Sequence, residues 1–233
     1  GPNAIGVILS PRMTNEDLYA ARLLFRETLK LKNVVSKVPP REKGYQDNFL
    51  IKADKNPNTQ GAKLLQLSSR GRSVSKMLKA ATNRKLRALY ICHHDLKIGF
   101  SLADLESAFS NLELIIFQGT NQNSTSALAH YLLPSATFVE KDGTFTNFAK
   151  RVQRVHRAVE PLGESKPDWI IFRNLSKKLG KSMPYFEAED VFNAMAEEVS
   201  AFRGLSYKKI GDQGIVLNGQ EGLTEAEVEA KVA

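Results

Sequence analysis

Four histidines, a single cysteine and a few polar runs are the residues of this 233-residue chain whose types suit chemistry. His93 and His94 follow the apolar run Ala88-Leu89-Tyr90-Ile91-Cys92. Successive side chains at a strand end point to opposite faces, so this pair is not expected to converge on one metal. His130 and His156 lie in unrelated contexts, and no His, Cys, Asp or Glu set has metal-ligand spacing. Cys92 is the sole cysteine, which forbids an intrachain disulfide and any cluster or zinc site built from several thiolates of this chain. It fits a reducing compartment and reads as a small buried thiol. Ser124, Thr125 and Ser126 offer hydroxyls but have no G-x-S-x-G elbow and no visible base, so they read as helix-capping residues. Lys150, Arg151, Arg154 and Arg157 can clamp an anion, because guanidinium groups bind phosphate bidentately; a solvated or interface-facing basic strand explains them equally. Gln118-Gly119-Thr120-Asn121 follows the apolar run Leu114-Ile115-Ile116-Phe117. That is where open α/β sheets bind ligands, although the G-x-G-x-x-G fingerprint of dinucleotide sites is missing.

Those residues need strands that end beside one another. Ala4-Ile5-Gly6-Val7-Ile8-Leu9 is a continuous apolar run closed by Ser10-Pro11, the pattern of a strand buried on both faces. Thr14-Asn15-Glu16-Asp17 then forms a capping box, and Leu18, Ala21, Phe25 and Leu29 make one apolar helical stripe. The cycle repeats with the strand Ala88–Cys92, a box at Ser101-Leu102-Ala103-Asp104, and Leu105, Ala108 and Phe109 behind it. Such βαβ repetition predicts an α/β fold with a mostly parallel sheet flanked by helices. Residues 39–73, rich in Pro, Gly, Asn, Lys and Arg, read as a long irregular excursion, either a docking surface or a loop ordered by its neighbours. Residues 136–158 read as a hairpin-like insertion turning at Lys141-Asp142-Gly143, with Asp-Gly supplying positive-φ chemistry. Ser165-Lys166-Pro167-Asp168 opens a helix that stops at Gly180, and Val191, Met195, Val199 and Phe202 mark another. Residues 1–218 are expected to form one domain, followed by a flexible acidic tail at 219–233.

Composition narrows the function classes. With 42% hydrophobic and 25% charged residues the chain can bury a sizeable core. No run approaches the about 20 apolar residues of a membrane span, and Gly1–Ser10 is too short for a signal peptide. The opening Gly1-Pro2 lacks an initiator Met, so the natural protein is expected to begin upstream. The net charge of +8 is uneven: residues 1–100 hold 19 Lys/Arg against 7 Asp/Glu. A basic face answers any polyanion, but no zinc finger, RNA-recognition aromatic motif or basic zipper accompanies it.

The order of motifs says more than any one of them. Glu140-Lys141-Asp142-Gly143-Thr144-Phe145-Thr146-Asn147, then Arg151-Val152-Gln153, Pro161-Leu162-Gly163 and Asp168-Trp169, resembles the E-x-x-G-T-x-x-N-x-E-G-R-x-Q signature of molybdopterin oxidoreductases. Ala129-His130-Tyr131-Leu132-Leu133-Pro134 is similar to the segment that precedes it there. Within that superfamily, Ser10–Asp17 and Ala53–Ala62 look most like the large iron–sulfur subunit of NADH-quinone oxidoreductase (complex I). The resemblance covers about residues 4–215 and implies a Rossmann-like, molybdopterin-oxidoreductase-like core. Two departures accompany it. Ala149-Lys150 replaces the family's Glu-Gly, and no Cys, selenocysteine or Ser metal-ligand segment is recognisable.

The resemblance therefore implies a non-catalytic structural and assembly domain supporting electron transfer from NADH to quinone. It implies no catalytic residue, metal or cofactor in this segment, with Gly119, Thr120, Asn121 and Asn147 left as a vestigial pterin pocket. Iron–sulfur clusters are expected in an N-terminal part of the parent chain. The implied partners are that part and the other peripheral-arm subunits, in the cytoplasm at a bacterial inner membrane, with no nucleic acid and no direct membrane insertion. The alternative is a pterin-binding fragment of a catalytic molybdenum or tungsten oxidoreductase such as formate dehydrogenase, with the same four residues lining the pocket. A basic nucleic-acid-binding protein is a second alternative, which a steep salt dependence of binding would mark.

Overall fold

Residues 1–36, 44–67 and 73–217 are described by the computed structural model. The first apolar run forms β1 (Ile5–Ile8), and Thr14 caps α1 (Asn15–Ala21) as expected: its side chain accepts from the Asp17 amide, and Asp17 reaches back to the Thr14 amide. The helix continues as a π-helical stretch over Arg22–Thr28, and β2 (Asn33–Val35) follows. After α2 (Thr59–Leu64) and α3 (Val74–Thr82) come β3 (Ala88–Cys92), α4 (Leu102–Phe109), β4 (Leu114–Gly119) and β5 (Tyr131–Pro134). These five strands pair in the order β2-β1-β3-β4-β5, every pair parallel. The fold is thus α/β, a mostly parallel sheet between helices.

Each face of that sheet carries its own core, as a sheet of continuous apolar strands requires. On one face lie α1, α5 (Asp168–Lys178) and α6 (Ala188–Glu198), with Leu18, Phe25, Tyr90, Phe172 and Phe192 buried together. Phe25 meets the edges of Tyr90 and Phe172 at centroid distances of 5.1 and 5.6 Å. On the other face α3 and α4 cover Ile8, Leu89, Ile91, Ile115 and Phe117. A second, antiparallel sheet of β6 (Gly143–Thr146), β7 (Arg151–Val155) and β8 (Ile215–Val216) packs against α1 and α7 (Tyr207–Ile210).

Two expectations are corrected. The irregular excursion at 39–73 contains a helix, α2, and hydrogen bonds such as that from the Asn58 amide to the Pro11 carbonyl (3.0 Å) tie it to the sheet's rim. Its residues 39–43 and 68–72, like the tail from 219, lie outside the described residues. The hairpin is present, but Asp142-Gly143 is not its turn. Gly143 already pairs with Val155 inside the ladder, and the turn falls at 147–150, where Asn147 Oδ1 accepts from the amides of Ala149 and Arg151. Gly143 is needed for proximity: a Cβ there would lie 2.8 Å from Thr14 Cγ2 and 2.9 Å from Glu16 Oε2. The positive φ belongs to Lys150 (61°), a conformation that suits glycine far better than lysine. Lys150→Gly is accordingly expected to stabilise the fold by about 1 kcal/mol in thermal unfolding; an unchanged midpoint would contradict this.

Candidate functional site

The first turn of α1 is buried, polar and fully engaged. Asn15, Glu16 and Asp17 have no solvent-exposed surface. Glu16 accepts from the Thr144 amide and hydroxyl, both at 2.8 Å, and from the Tyr207 hydroxyl at 3.0 Å. Asn15 Nδ2 donates to the hydroxyls of Thr144 and Thr146, while Asn58 bridges the Met13 carbonyl and the Thr146 amide. Lys141 donates to Asp17 Oδ2 and Asp168 Oδ2, each at 2.7 Å, in an almost fully buried salt bridge. Burial works against its charge, but the Asp168 and Asp17 carboxylates outweigh that and hold the Lys141 pKa above its ordinary value. Thus α1, α2, α5 and the hairpin are latched by groups that water would otherwise solvate.

Glu16 gives this latch a pH signature. Burial raises its pKa from 4.5 to about 7, against the opposing hydrogen bonds of its own amide and Thr144. The folded state therefore holds a proton that the unfolded chain releases, and stability falls as pH rises from about 4.5 to about 7, by about 3 kcal/mol in all. Glu16→Gln, which mimics the protonated form, should gain about 3 kcal/mol relative to the natural chain between those limits. Parallel stability curves for the two proteins would show that Glu16 stays ionised.

Beside the latch, a cavity of about 390 Å³ opens past the carboxyl ends of the parallel strands, lined by Arg12, His93, His94, Asp95, Thr120, Asn121, Asn123 and residues 53–56, among others. The strand order reverses between β1 and β3, and the residues after those strands form its floor. Such a switch point is where open α/β sheets bind ligands, because the two flanking loops diverge there. His93 leaves the strand at a positive φ of 56°, which an L-residue seldom adopts. Its Nε2 meets Asp168 Oδ1 at 2.8 Å, and the same oxygen accepts from Gln118 Nε2 (2.6 Å) and Ser135 Oγ (2.8 Å). Burial opposes ionisation of Asp168, but His93 and Lys141 overcome it and hold the pKa well below the usual carboxylate range. His94 turns the other way and donates from Nε2 to the Leu9 carbonyl at 3.0 Å. Burial drops its pKa to about 4, so it is neutral at pH 7.

The molybdopterin oxidoreductase family matches this chain over residues 7–178. The chain belongs to that family. Among relatives, the F420-dependent formate dehydrogenase subunit alpha of Methanocaldococcus jannaschii is 33% identical over 167 residues, which is 70% of this chain and 23% of that protein. The F420-dependent formate dehydrogenase 2 subunit alpha of Methanococcus maripaludis is 36% identical over 113 residues, 48% of this chain and 17% of that protein. This molybdopterin oxidoreductase chain thus spans about a fifth of the length of these relatives. Acetylene hydratase from Pelobacter acetylenicus shares the fold, with a TM-score of 0.52 and 17% identity over 66% of this chain and 22% of that one.

The family signature turns out to be the latch. Glu140 accepts from the amides of Thr137 and Leu162; Lys141 and Thr144 make the contacts described above; Asn147 builds the turn. Of the four expected pocket residues, Thr120 and Asn121 line the cavity, Gly119 immediately precedes them in β4, and Asn147 is spent in the hairpin. The basic residues of the hairpin make contacts within the fold. Arg151 donates to the Gln213 carbonyl, Arg154 stacks on Tyr207 at 4.3 Å, and Arg157 pairs with Glu160. Thr125 stands at the N-cap of a 3-10 helix (Ser126–Leu128) without a side-chain cap bond; its hydroxyl instead accepts from the Leu96 amide, and Ser126 closes a turn with Asn123. Cys92 is buried, with its thiol pKa pushed up by burial. His130 Nδ1 accepts from the Ile115 amide, and among the described residues no group of three or more His, Cys, Asp or Glu is arranged to hold a metal. Sequence reasoning missed Asp168, Lys141 and Arg12 as neighbours of the site. The available signal was acidic residues at two helix starts, which says nothing of what they face.

Proposed function

We propose that this chain is the α/β domain of a larger molybdopterin oxidoreductase subunit of the formate dehydrogenase alpha type, and that its cavity holds the nucleotide end of a pterin cofactor. The observation that carries this reading is the cavity's place at the β1/β3 switch point, together with its lining. Arg12 makes no side-chain hydrogen bond or ion pair within the described residues, so its guanidinium is available to a phosphoryl oxygen. Thr120, Asn121 and Asn123 add hydroxyl and amide groups for the polar edge of a nucleotide. The volume lies within the range of small-molecule sites, so the residues fit such a group. When bound, the molybdenum or tungsten carried by the pterin supplies the two-electron chemistry; the residues of this chain bind and orient. The named activities of the relatives support an oxidoreductase of this kind.

One observation favours a second reading. The signature residues are consumed by an internal latch, so their retention requires only the fold, and a domain without cofactor would keep them too. That reading is a structural domain of the large iron–sulfur subunit of NADH-quinone oxidoreductase. Its partners would be the cluster-bearing domains of the parent chain and the peripheral-arm subunits, at the cytoplasmic side of a bacterial inner membrane. Metal and pterin analysis of the full-length parent protein separates the two. Stoichiometric pterin with molybdenum or tungsten, reduced in Arg12→Ala, is the expected result; iron with neither metal and no pterin would sink the first reading.

A further inference from the structure

We infer that His93 is a proton-coupled oxyanion receptor: an anionic oxygen of the cavity's ligand seats on Nδ1, and binding draws a proton onto that nitrogen. The inference rests on the reading of the cavity as a ligand site and adds a residue and a pH dependence that the family signature does not contain.

The tautomer of His93 is set by its partner. Asp168 is an ionised carboxylate and accepts only, so the Nε2 that meets it must carry a hydrogen. The first imidazole proton is thereby fixed on Nε2, and Nδ1 is the nitrogen that can gain or lose the second. Among the described residues Nδ1 finds no hydrogen-bond partner, yet it is not one of the buried polar atoms left without one. It therefore keeps accessible surface in a side chain that is only 11% exposed, and the cavity is what His93 lines. The positive φ at His93 is a backbone cost that turns the ring out of the strand and onto Asp168. Lys141, Gln118 and Ser135 fix Asp168 from three further directions, so the imidazole is held by a rigid base.

The coupling takes its sign from Nδ1 itself, which can donate to an anion only when it is protonated. The acidic groups facing this corner are Asp168 on α5, which holds the ring, Asp17 on α1 beyond Lys141, and Asp95 in the following turn. The basic groups are Lys141 and the Arg12 guanidinium; Cys92 keeps its proton, Tyr90 is held neutral by burial, and His94 is neutral. An anion in the cavity that Arg12 and His93 both line meets the guanidinium and, once Nδ1 is protonated, a second positive donor. His94 cannot substitute, because its Nε2 hydrogen is committed to the Leu9 carbonyl and its pKa is far below neutrality.

The test uses the 233-residue chain with sodium sulfate as a phosphoryl mimic and sodium formate as a carboxylate, neither of which titrates between about pH 6 and pH 9. Because the anion brings one proton with it, the expected dissociation constant rises with pH by up to about tenfold per unit, and the 15N resonance of His93 Nδ1 moves to its protonated position on saturation. The tighter of the two anions identifies the source of the oxygen. His93→Gln, whose amide can still donate to Asp168, should bind weakly and without pH dependence. A pH-independent affinity in the natural chain, an unmoved Nδ1 resonance, the same slope in His93→Gln, or no binding of either anion would each overturn the inference. If His93→Gln fails to fold, the resonance and pH slope of the natural chain decide alone. The pterin content of the parent protein tests the underlying cavity reading separately.

Discussion

Lys141→Met should lower the unfolding free energy by about 3–5 kcal/mol, because it removes the cation and leaves the Asp17 and Asp168 carboxylates facing each other without water. Both are completely buried, and each accepts from Lys141 Nζ at 2.7 Å. Methionine keeps most of the stem's volume, so the loss reports charge and not a cavity. The measurement is urea unfolding at pH 7, with Lys141→Met joined to Asp17→Asn and Asp168→Asn as the control. Removing all three charges together should recover part of the loss, since breaking a buried pair costs more than replacing it. A single variant within about 1 kcal/mol of the natural chain, well below the range expected for a broken buried pair, would show that water reaches the latch.

Gly61→Ala is expected to cost about 3 kcal/mol for a steric reason. A Cβ at this position would overlap Asn15 Oδ1 and Asn58 Oδ1, the two amides that join α1, α2 and β6. Neither amide can retreat without leaving a buried partner unsatisfied: Asn58 holds the Met13 carbonyl at 2.9 Å and the Thr146 amide at 2.8 Å. Chemical unfolding gives the magnitude, and faster hydrogen exchange at the Thr146 amide gives the place. An unchanged midpoint with an unchanged Thr146 amide would mean that the helix start shifts to absorb the methyl group.

Both predictions fall on residues of the motifs that carry the family resemblance, Lys141 in the signature and Gly61 in the Ala53–Ala62 segment. Thr14-Asn15-Glu16-Asp17, Asn58-Thr59-Gln60-Gly61 and Lys141–Thr146 are what make the chain recognisable, and they meet in one latch. The cavity is lined mainly by other residues, from the loops after β1, β3 and β4 and from the segment 44–56. Fold and ligand site are thus specified by largely separate sets of side chains. The point of contact is Asp168, which anchors Lys141 through one oxygen and His93 through the other. Damage to the latch should therefore reach the cavity through His93.

The strands β1, β3 and β4, the capping box that starts α1, the Ser101 cap of α4 (half of the expected box), and the helix opened by Pro167-Asp168 are legible in the chain, because apolar runs and side-chain-to-amide caps act within a few residues. The family is legible too, from the order of its motifs. Everything else depends on long-range packing. Helix α2 escaped notice because its six residues carry no apolar stripe of their own and are held by β6 and α1. The hairpin register was misjudged because Asp142-Gly143 looks like a turn, whereas the packing of Gly143 against Thr14 and Glu16 sets the pairing. Likewise nothing local says that Lys141 meets an aspartate 124 positions earlier, or that His93 meets one 75 positions later. Those contacts exist because the parallel sheet brings all its strand ends to one edge, where the helix starts supply the acids and the excluded water makes each pairing obligatory.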